Sequence, residues 1–213
     1  MTTEHITTRQ EVINFGGLDI MFDDRVLRPR PWTTAQSRWA AELLRDAPEG
    51  PVLELCSGAG QIGLLAVAYQ PRDLVCVDID PVACGFARHN AHAARLSARV
   101  EVREGAMSEV VSGTEQYAVV VADPPWVPSR EVSRFPEDPL RAIDGGPDGT
   151  DLVLSCLAVI ERCLMVGGSA VVQVGTSEQA DFVGASLPAA SGLTLIGQRE
   201  LGGGVLVRLD RPA

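Results

Sequence analysis

Aromatic residues make up only 5% of the chain, so its core must be filled by small aliphatic side chains rather than rings. Positive charge is also short: 18 basic residues face 28 acidic ones, a net charge of −10. Proteins that bind nucleic acid or anionic membranes draw much of their affinity from basic patches, so this balance argues against both partners. No apolar run approaches the roughly 20 residues of a membrane span. The N-terminal stretch before Glu11 lacks the apolar centre of a secretory signal. The five cysteines are an odd number with no C-x-x-C spacing, which reads as reduced, buried thiols in a cytoplasmic protein rather than disulfides or a zinc site. His89 and His92 lie one helical turn apart, but no third ligand accompanies them, so a solvated helix face is the simpler reading.

What is present is a chain of 213 residues, enough for one domain with a full core. Residues 11–32 read as a β-rich lead-in that ends in Arg28-Pro29-Arg30-Pro31. Residues 33–46 read as a helix capped by Thr33 or Thr34. Strands and helices then alternate. Strands are expected at 51–56, 73–78, 99–104, 117–122 and 169–175, and helices at 61–69, from Pro81 to Ala94, at 150–165 and at 177–187. Asp80 before Pro81 is a helix-start signal. Two last strands, 193–199 and 204–210, read as an antiparallel hairpin. Repeated βα units build a mostly parallel sheet covered on both faces, and ligands bind such sheets beyond the carboxyl ends of the strands.

Residues 54–63 carry Gly58, Gly60 and Gly63 in the G-x-G-x-x-G spacing between a strand and a helix. Asp78 ends the following strand, where a carboxylate accepts hydrogen bonds from both ribose hydroxyls. Together these point to an adenosine-containing ligand; a plain βα turn with a capping Asp is the bland alternative. The loop alone suits a dinucleotide or S-adenosylmethionine. Glu54 favours the latter, because its carboxylate would repel a pyrophosphate and attract an ammonium beside a sulfonium.

The strand 117–122 runs into Asp123-Pro124-Pro125-Trp126. Methyl transfer to nitrogen needs a lone pair aimed along the carbon–sulfur axis, and in an amide or aromatic amine that pair is delocalised. The Asp123 carboxylate and the Pro124 carbonyl can hold the amino hydrogens and draw the nitrogen towards tetrahedral geometry. The prolines stiffen the loop, and Trp126 offers a face for a planar acceptor and for developing positive charge.

Four blocks of the sequence resemble the catalytic domain of the glutamine N5-methyltransferases of peptide-chain release factors and a ribosomal protein. Val26-Leu27-Arg28-Pro29-Arg30-Pro31 resembles the family's V-L-I-P-R-P, and residues 54–63 its D-L-G-T-G-S-G loop. Residues 123–128 resemble its N-P-P-Y-I-P, and residues 143–151 its L-D-G-G-x-D-G-L-D. The departures are Asp123 for Asn, Trp126 for Tyr, Trp32 for the first block's Glu, and Ala106 for the acid after the third strand. Only 25 residues precede Val26, so the docking of release factors by the family's N-terminal domain is not expected of this segment. Asp-Pro-Pro-Trp also resembles the motif of some adenine-N6 methyltransferases.

The resemblance implies a Rossmann-like class I methyltransferase fold of the α/β class, with a mostly parallel seven-stranded sheet and a C-terminal antiparallel hairpin. It divides the chain into the lead-in 1–32 and a methyltransferase domain 33–213. It implies S-adenosylmethionine as cofactor, contacted by Arg30, Glu54, Cys56, Gly58, Gly60, Asp78, Ile79, Ala106, Met107 and Asp123, with Asp123, Pro124 and Trp126 as the catalytic loop. The acceptor is expected to be a protein side chain or small molecule. The rival readings are an adenine-N6 nucleic-acid methyltransferase, a non-catalytic cofactor binder and an oxidoreductase. The long connection 127–149 is expected to serve function, with Asp144, Gly145, Gly146 and Asp148 shaping a substrate wall and Arg130, Arg134 and Arg141 available to a substrate anion.

Overall fold

The computed structural model describes residues 9–212; the first eight residues of the lead-in lie outside the described residues. Strands β1 (Glu11–Phe15) and β2 (Leu18–Phe22) form an antiparallel hairpin. The remaining strands are β3 (Val52–Leu55), β4 (Leu74–Asp78), β5 (Val100–Glu104), β6 (Tyr117–Ala122), β7 (Leu164–Val174), β8 (Thr194–Leu201) and β9 (Gly204–Asp210). They make one seven-stranded sheet in the order β5-β4-β3-β6-β7-β9-β8. The pairs from β5 to β7 are parallel, and β9 joins β7 and β8 antiparallel.

The helices are α1 (Thr34–Leu43), α2 (Gln61–Tyr69), α3 (Pro81–Ala93), α4 (Met107–Val110), α5 (Leu140–Ile143), α6 (Asp151–Cys163) and α7 (Ser177–Ala185). Strand β6, Tyr-Ala-Val-Val-Val-Ala, is buried at every position because helices cover both faces of the sheet. The two faces carry separate cores. Leu53, Leu55, Val120 and Val172 meet Val153 and Ile160 of α6, while Val52, Val119 and Val121 lie with Leu64 and Leu65 of α2 and Phe86 of α3. The lead-in hairpin belongs to the second core: Phe15, Ile20 and Phe22 are buried in it. Buried Asn90 of α3 accepts from the Met21 amide at 2.8 Å and donates to the Met21 carbonyl at 3.0 Å.

Several expected boundaries move. The helix read as 150–165 ends at Cys163, and β7 starts at once with Leu164 rather than at Ser169. Gly167, with a φ of 79°, lets this strand kink where its register against β6 shifts. The connection 127–149 also contains helical turns at 129–134 and in α5, closed at its base by a bridge between Val127 and Asp144. Among the described residues no helix is long and apolar enough to cross a membrane.

Candidate active site

The chain enters the sheet at its centre with β3, moves outward to β5, then crosses back to lay β6 on the other side of β3. Beyond the carboxyl ends of these strands, at that reversal, lies a cavity of about 930 Å³. Its wall includes Cys56, Gly58, Asp78, Ile79, Ala106, Met107 and Asp123. Six of the ten expected cofactor contacts thus come together with Asp123 in one space.

The loop after β3 turns sharply. Cys56 has a φ of 55° and Gly58 a φ of 52°, the left-handed region that a β-carbon disfavours. Cys56 stands where the resembling family has glycine. Its thiol is held protonated by hydrogen bonding with Cys156 and by burial, which push its pKa well above the ordinary value. The Gly58 amide donates to Asp78 Oδ2 at 2.7 Å, and the Asp80 amide to Asp78 Oδ1 at 2.9 Å. Each oxygen keeps a second lone pair for a ligand hydroxyl. Burial raises the Asp78 pKa, and these backbone bonds oppose the rise. Asp80 caps α3 by accepting from the Val82 amide at 2.8 Å.

An adenosyl cofactor fits this donor set. Asp78 presents paired acceptors, Gly58 puts bare backbone at the wall, and Ile79, 56% exposed, with Met107 supplies apolar surface for a base. The Met107 turn is fixed from below, because Arg162 Nη2 donates to the carbonyls of Met107 (3.3 Å), Ser108 (3.4 Å) and Val111 (3.1 Å). Arg25, Ser155 and Arg162 line the cavity without belonging to any motif, and Gln61 and Pro125 line it from within the glycine-loop and Asp-Pro-Pro-Trp blocks.

Three expected cofactor contacts lie elsewhere. Glu54 is 2% exposed and does not line the cavity. Alternation along β3 points it away from Leu53 and Leu55 and under α2, where a β-carbon at Gly63 would stand 2.5 Å from Glu54 Oε2. Oε2 accepts from the Cys76 thiol at 3.2 Å, the Gly63 backbone lies against the carboxylate, and among the described residues Oε1 is buried without a hydrogen-bond partner. Gly60, with a φ of 80°, starts α2 and makes room for Ala87 of α3 rather than for a ligand. Arg30 is bonded to Asp138 through Nη2 at 2.6 and 2.5 Å.

Burial pushes the Glu54 pKa from about 4.5 to about 7. The folded state therefore binds the proton more tightly than the unfolded chain. Glu54's stability contribution is full below pH 4.5 and is lost as pH rises to about 7, a change of about 3 kcal/mol. Glu54→Gln is expected to be more stable than wild type at pH 8 and close to it at pH 5. Urea midpoints at the two pH values check this.

Asp123 follows the last residue of β6. No hydrogen bond or ion pair from the described residues engages its carboxylate, and burial alone lifts its pKa to about 7. Pro125 lines the cavity beside it, whereas Pro124 and Trp126 do not. The Trp126 ring lies on Gly175, which leaves no space there for a β-carbon, and its carbonyl accepts from Gln179 Nε2 at 2.9 Å. The stacking face expected of Trp126 is therefore set against β7's end instead of the cavity. The 143–151 block braces this loop. A β-carbon at Gly145 would stand 2.7 Å from the Pro125 carbonyl, and one at Gly149 would clash with that of Trp126. Asp144 accepts from Ser129 Oγ at 2.7 Å and from the Gly146 amide at 3.0 Å. Of the loop arginines, Arg134 pairs with Glu131, Arg130 reaches Asp148 and the Pro147 carbonyl, and Arg141 alone lines the cavity.

Residues 35–135 match the family described as methyltransferase small domain. The chain is 29% identical to a release factor glutamine methyltransferase of Clostridium acetobutylicum, over 84% of this chain and 64% of the relative. It is 32% identical to that of Streptomyces coelicolor, over 87% of this chain and 65% of the relative. It thus spans less than two thirds of the length of these relatives. The fold is shared with an RNA methyltransferase from Salinibacter ruber solved in complex with S-adenosyl-L-homocysteine, at a TM-score of 0.55 and 21% identity, covering 87% of this chain and 94% of that one. Sheet order and these likenesses give the chain the class I methyltransferase fold, and its cavity suits S-adenosylmethionine, the cofactor of that class. Within that class, the chain resembles the catalytic domain of the release factor glutamine methyltransferases.

Proposed function

We propose that the chain transfers a methyl group from S-adenosylmethionine to an amide or amine nitrogen of a protein side chain or small molecule. The observation that carries this reading is Asp123: a carboxylate with no partner among the described residues, at the strand end facing the cavity that Asp78 also lines. The cofactor, when bound, supplies an electrophilic methyl group on a sulfonium. Asp78 would hold the ribose, and Ile79 and Met107 would enclose the base. Asp123, with the Pro124 carbonyl on the same stiff loop, would accept the acceptor's N–H hydrogens and aim its lone pair. Fixing that geometry is where most of the rate would come from. A protein glutamine is the leading acceptor, since the relatives described above are named for that substrate. A translation-linked acceptor would put the reaction in the cytoplasm.

The test is incubation with methyl-labelled S-adenosylmethionine and a fractionated bacterial lysate, beside an Asp123→Ala control. Wild-type-only label in a protease-sensitive band supports a protein acceptor, and peptide mapping names the residue. Label in the small-molecule pool moves the substrate to that class. Nuclease-sensitive label turns the reading to adenine, against the net charge of −10. Label that persists with Asp123→Ala overturns the role given to Asp123.

A further inference from the structure

The outer wall of the cavity is carried by one segment with very little holding it. Residues 127–129 and 143–146 form the base of the 127–149 connection, through Val127 N–H to the Ile143 carbonyl (2.9 Å), Gly145 N–H to the Val127 carbonyl (2.9 Å) and Ser129 N–H to the Gly146 carbonyl (2.9 Å). Beyond this base, the bonds of residues 131–142 close on the segment itself or its immediate neighbours, as in Phe135 N–H to the Val132 carbonyl and Asp144 N–H to the Leu140 carbonyl. Yet Pro139, Leu140, Arg141 and Ala142 line the cavity, together with Arg25, Val26 and Leu27. Leu140 is 59% exposed, so packing does not anchor the segment there.

Among the described residues, a single polar tie joins 131–142 to the chain outside the connection: Asp138 to Arg30. Both Asp138 oxygens face Arg30 Nη2, and the Asp138 side chain is only 6% exposed. The Arg30 side is itself braced. Its guanidinium lies 5.8 Å from the Trp32 ring, and that ring rests on Gly203 in the β8–β9 turn, where no β-carbon fits. Thr33 donates its hydroxyl to the Arg30 carbonyl at 2.8 Å. The pair therefore joins a loosely held wall to a fixed rim of the sheet.

We propose that Arg30 and Asp138 are positioning residues whose ion pair holds residues 131–142 as the cavity's outer wall, and so sets how long the adenosyl cofactor stays bound. The second clause rests on the function proposed above; the first does not. A desolvated charge pair of this kind acts mainly on the rate of leaving rather than arriving.

The test compares wild type, Arg30→Gln, Asp138→Asn, Arg30→Lys and the charge exchange Arg30→Asp/Asp138→Arg. Hydrogen exchange of the 131–142 amides and the dissociation rate of S-adenosyl-L-homocysteine are read in each, with thermal midpoints as a folding control. Arg30→Gln and Asp138→Asn are expected to raise both rates on the order of 10-fold without lowering the thermal midpoint appreciably. Arg30→Lys should fall between them and wild type, and the exchange should return both rates towards wild type. Unchanged amide exchange in Arg30→Gln and Asp138→Asn overturns the latch, and so does a charge exchange that folds but restores neither rate. Faster amide exchange with an unchanged dissociation rate overturns the clause on cofactor residence. A wild type that does not bind S-adenosyl-L-homocysteine overturns the cofactor reading, while amide exchange still decides the latch.

Discussion

Asp123→Ala is expected to lower methyl transfer by about 10²–10³-fold while changing cofactor affinity no more than a few-fold. The strand that delivers Asp123 is buried along its whole length, so the carboxylate is held in place before any ligand arrives. Among the described residues, no donor takes up its lone pairs. They become useful when an acceptor N–H arrives, and most useful as positive charge develops on that nitrogen. An interaction that strengthens towards the transition state appears in turnover more than in binding. The pH dependence gives a second handle. Burial raises the Asp123 pKa to about 7, and the ionised carboxylate accepts the N–H beside the Pro124 carbonyl more strongly than the neutral acid, whose hydroxyl would meet it as a donor. Turnover should rise with pH through about 7 and then level. Asp123→Asn, which restores the residue found in the resembling family, keeps a carbonyl acceptor at every pH and should lose that rise. Rates at saturating cofactor and acceptor, from pH 5.5 to 9, separate these outcomes. A wild-type profile flat through pH 7 would remove Asp123 from the reacting centre.

Much of this arrangement could be read from the sequence because it is local. The apolar runs at 51–56 and 117–122 have to be central strands, and Asp80-Pro81 has to start a helix. Asp78 and Asp123 follow from strand ends alone. Other parts depend on partners far along the chain. Arg30 was read as a cofactor contact, but its partner Asp138 lies 108 residues away, and no spacing rule connects them. Glu54 stands at a strand end, but position along a strand does not by itself give the direction of the side chain. Strict alternation with Leu53 and Leu55 places it under α2, and Gly63 is the residue that makes room. The same holds for Trp126: Gly175, beyond β7, is what lets its ring lie down away from the cavity. In each case a glycine or a charge elsewhere decides where the side chain goes. The helical turns within 127–149 were missed for a simpler reason: each is too short for a periodic pattern to show.

Asp78→Ala is expected to weaken binding of S-adenosyl-L-homocysteine by about 100-fold or more, with the fold retained. Two contributions add. The variant removes acceptors for ligand hydroxyls, each such bond to a charged group being worth about 1.5–3 kcal/mol. It also frees the Gly58 and Asp80 amides, so the glycine loop keeps its Ser57 amide bond to the Val77 carbonyl but loses its side-chain anchor on β4. The conservative variant is informative because it should not be mild. In Asp78→Asn the amide nitrogen must face either the Gly58 or the Asp80 N–H, donor against donor, so one of those contacts opens whichever way the side chain turns. Affinity is therefore expected to fall nearly as far as in Asp78→Ala, whereas a residue acting only through ribose hydroxyls would tolerate Asn better. Titration calorimetry with S-adenosyl-L-homocysteine measures the affinities, and thermal midpoints report the loop. The sign of the Asp78 shift gives an independent check. Because burial raises its pKa, acidification should weaken binding at a higher pH than it would with an unperturbed aspartate, and both variants should lose that sensitivity. If Asp78→Asn binds as tightly as wild type, the backbone bonds do not organise the loop, and the ligand is held by its apolar walls instead.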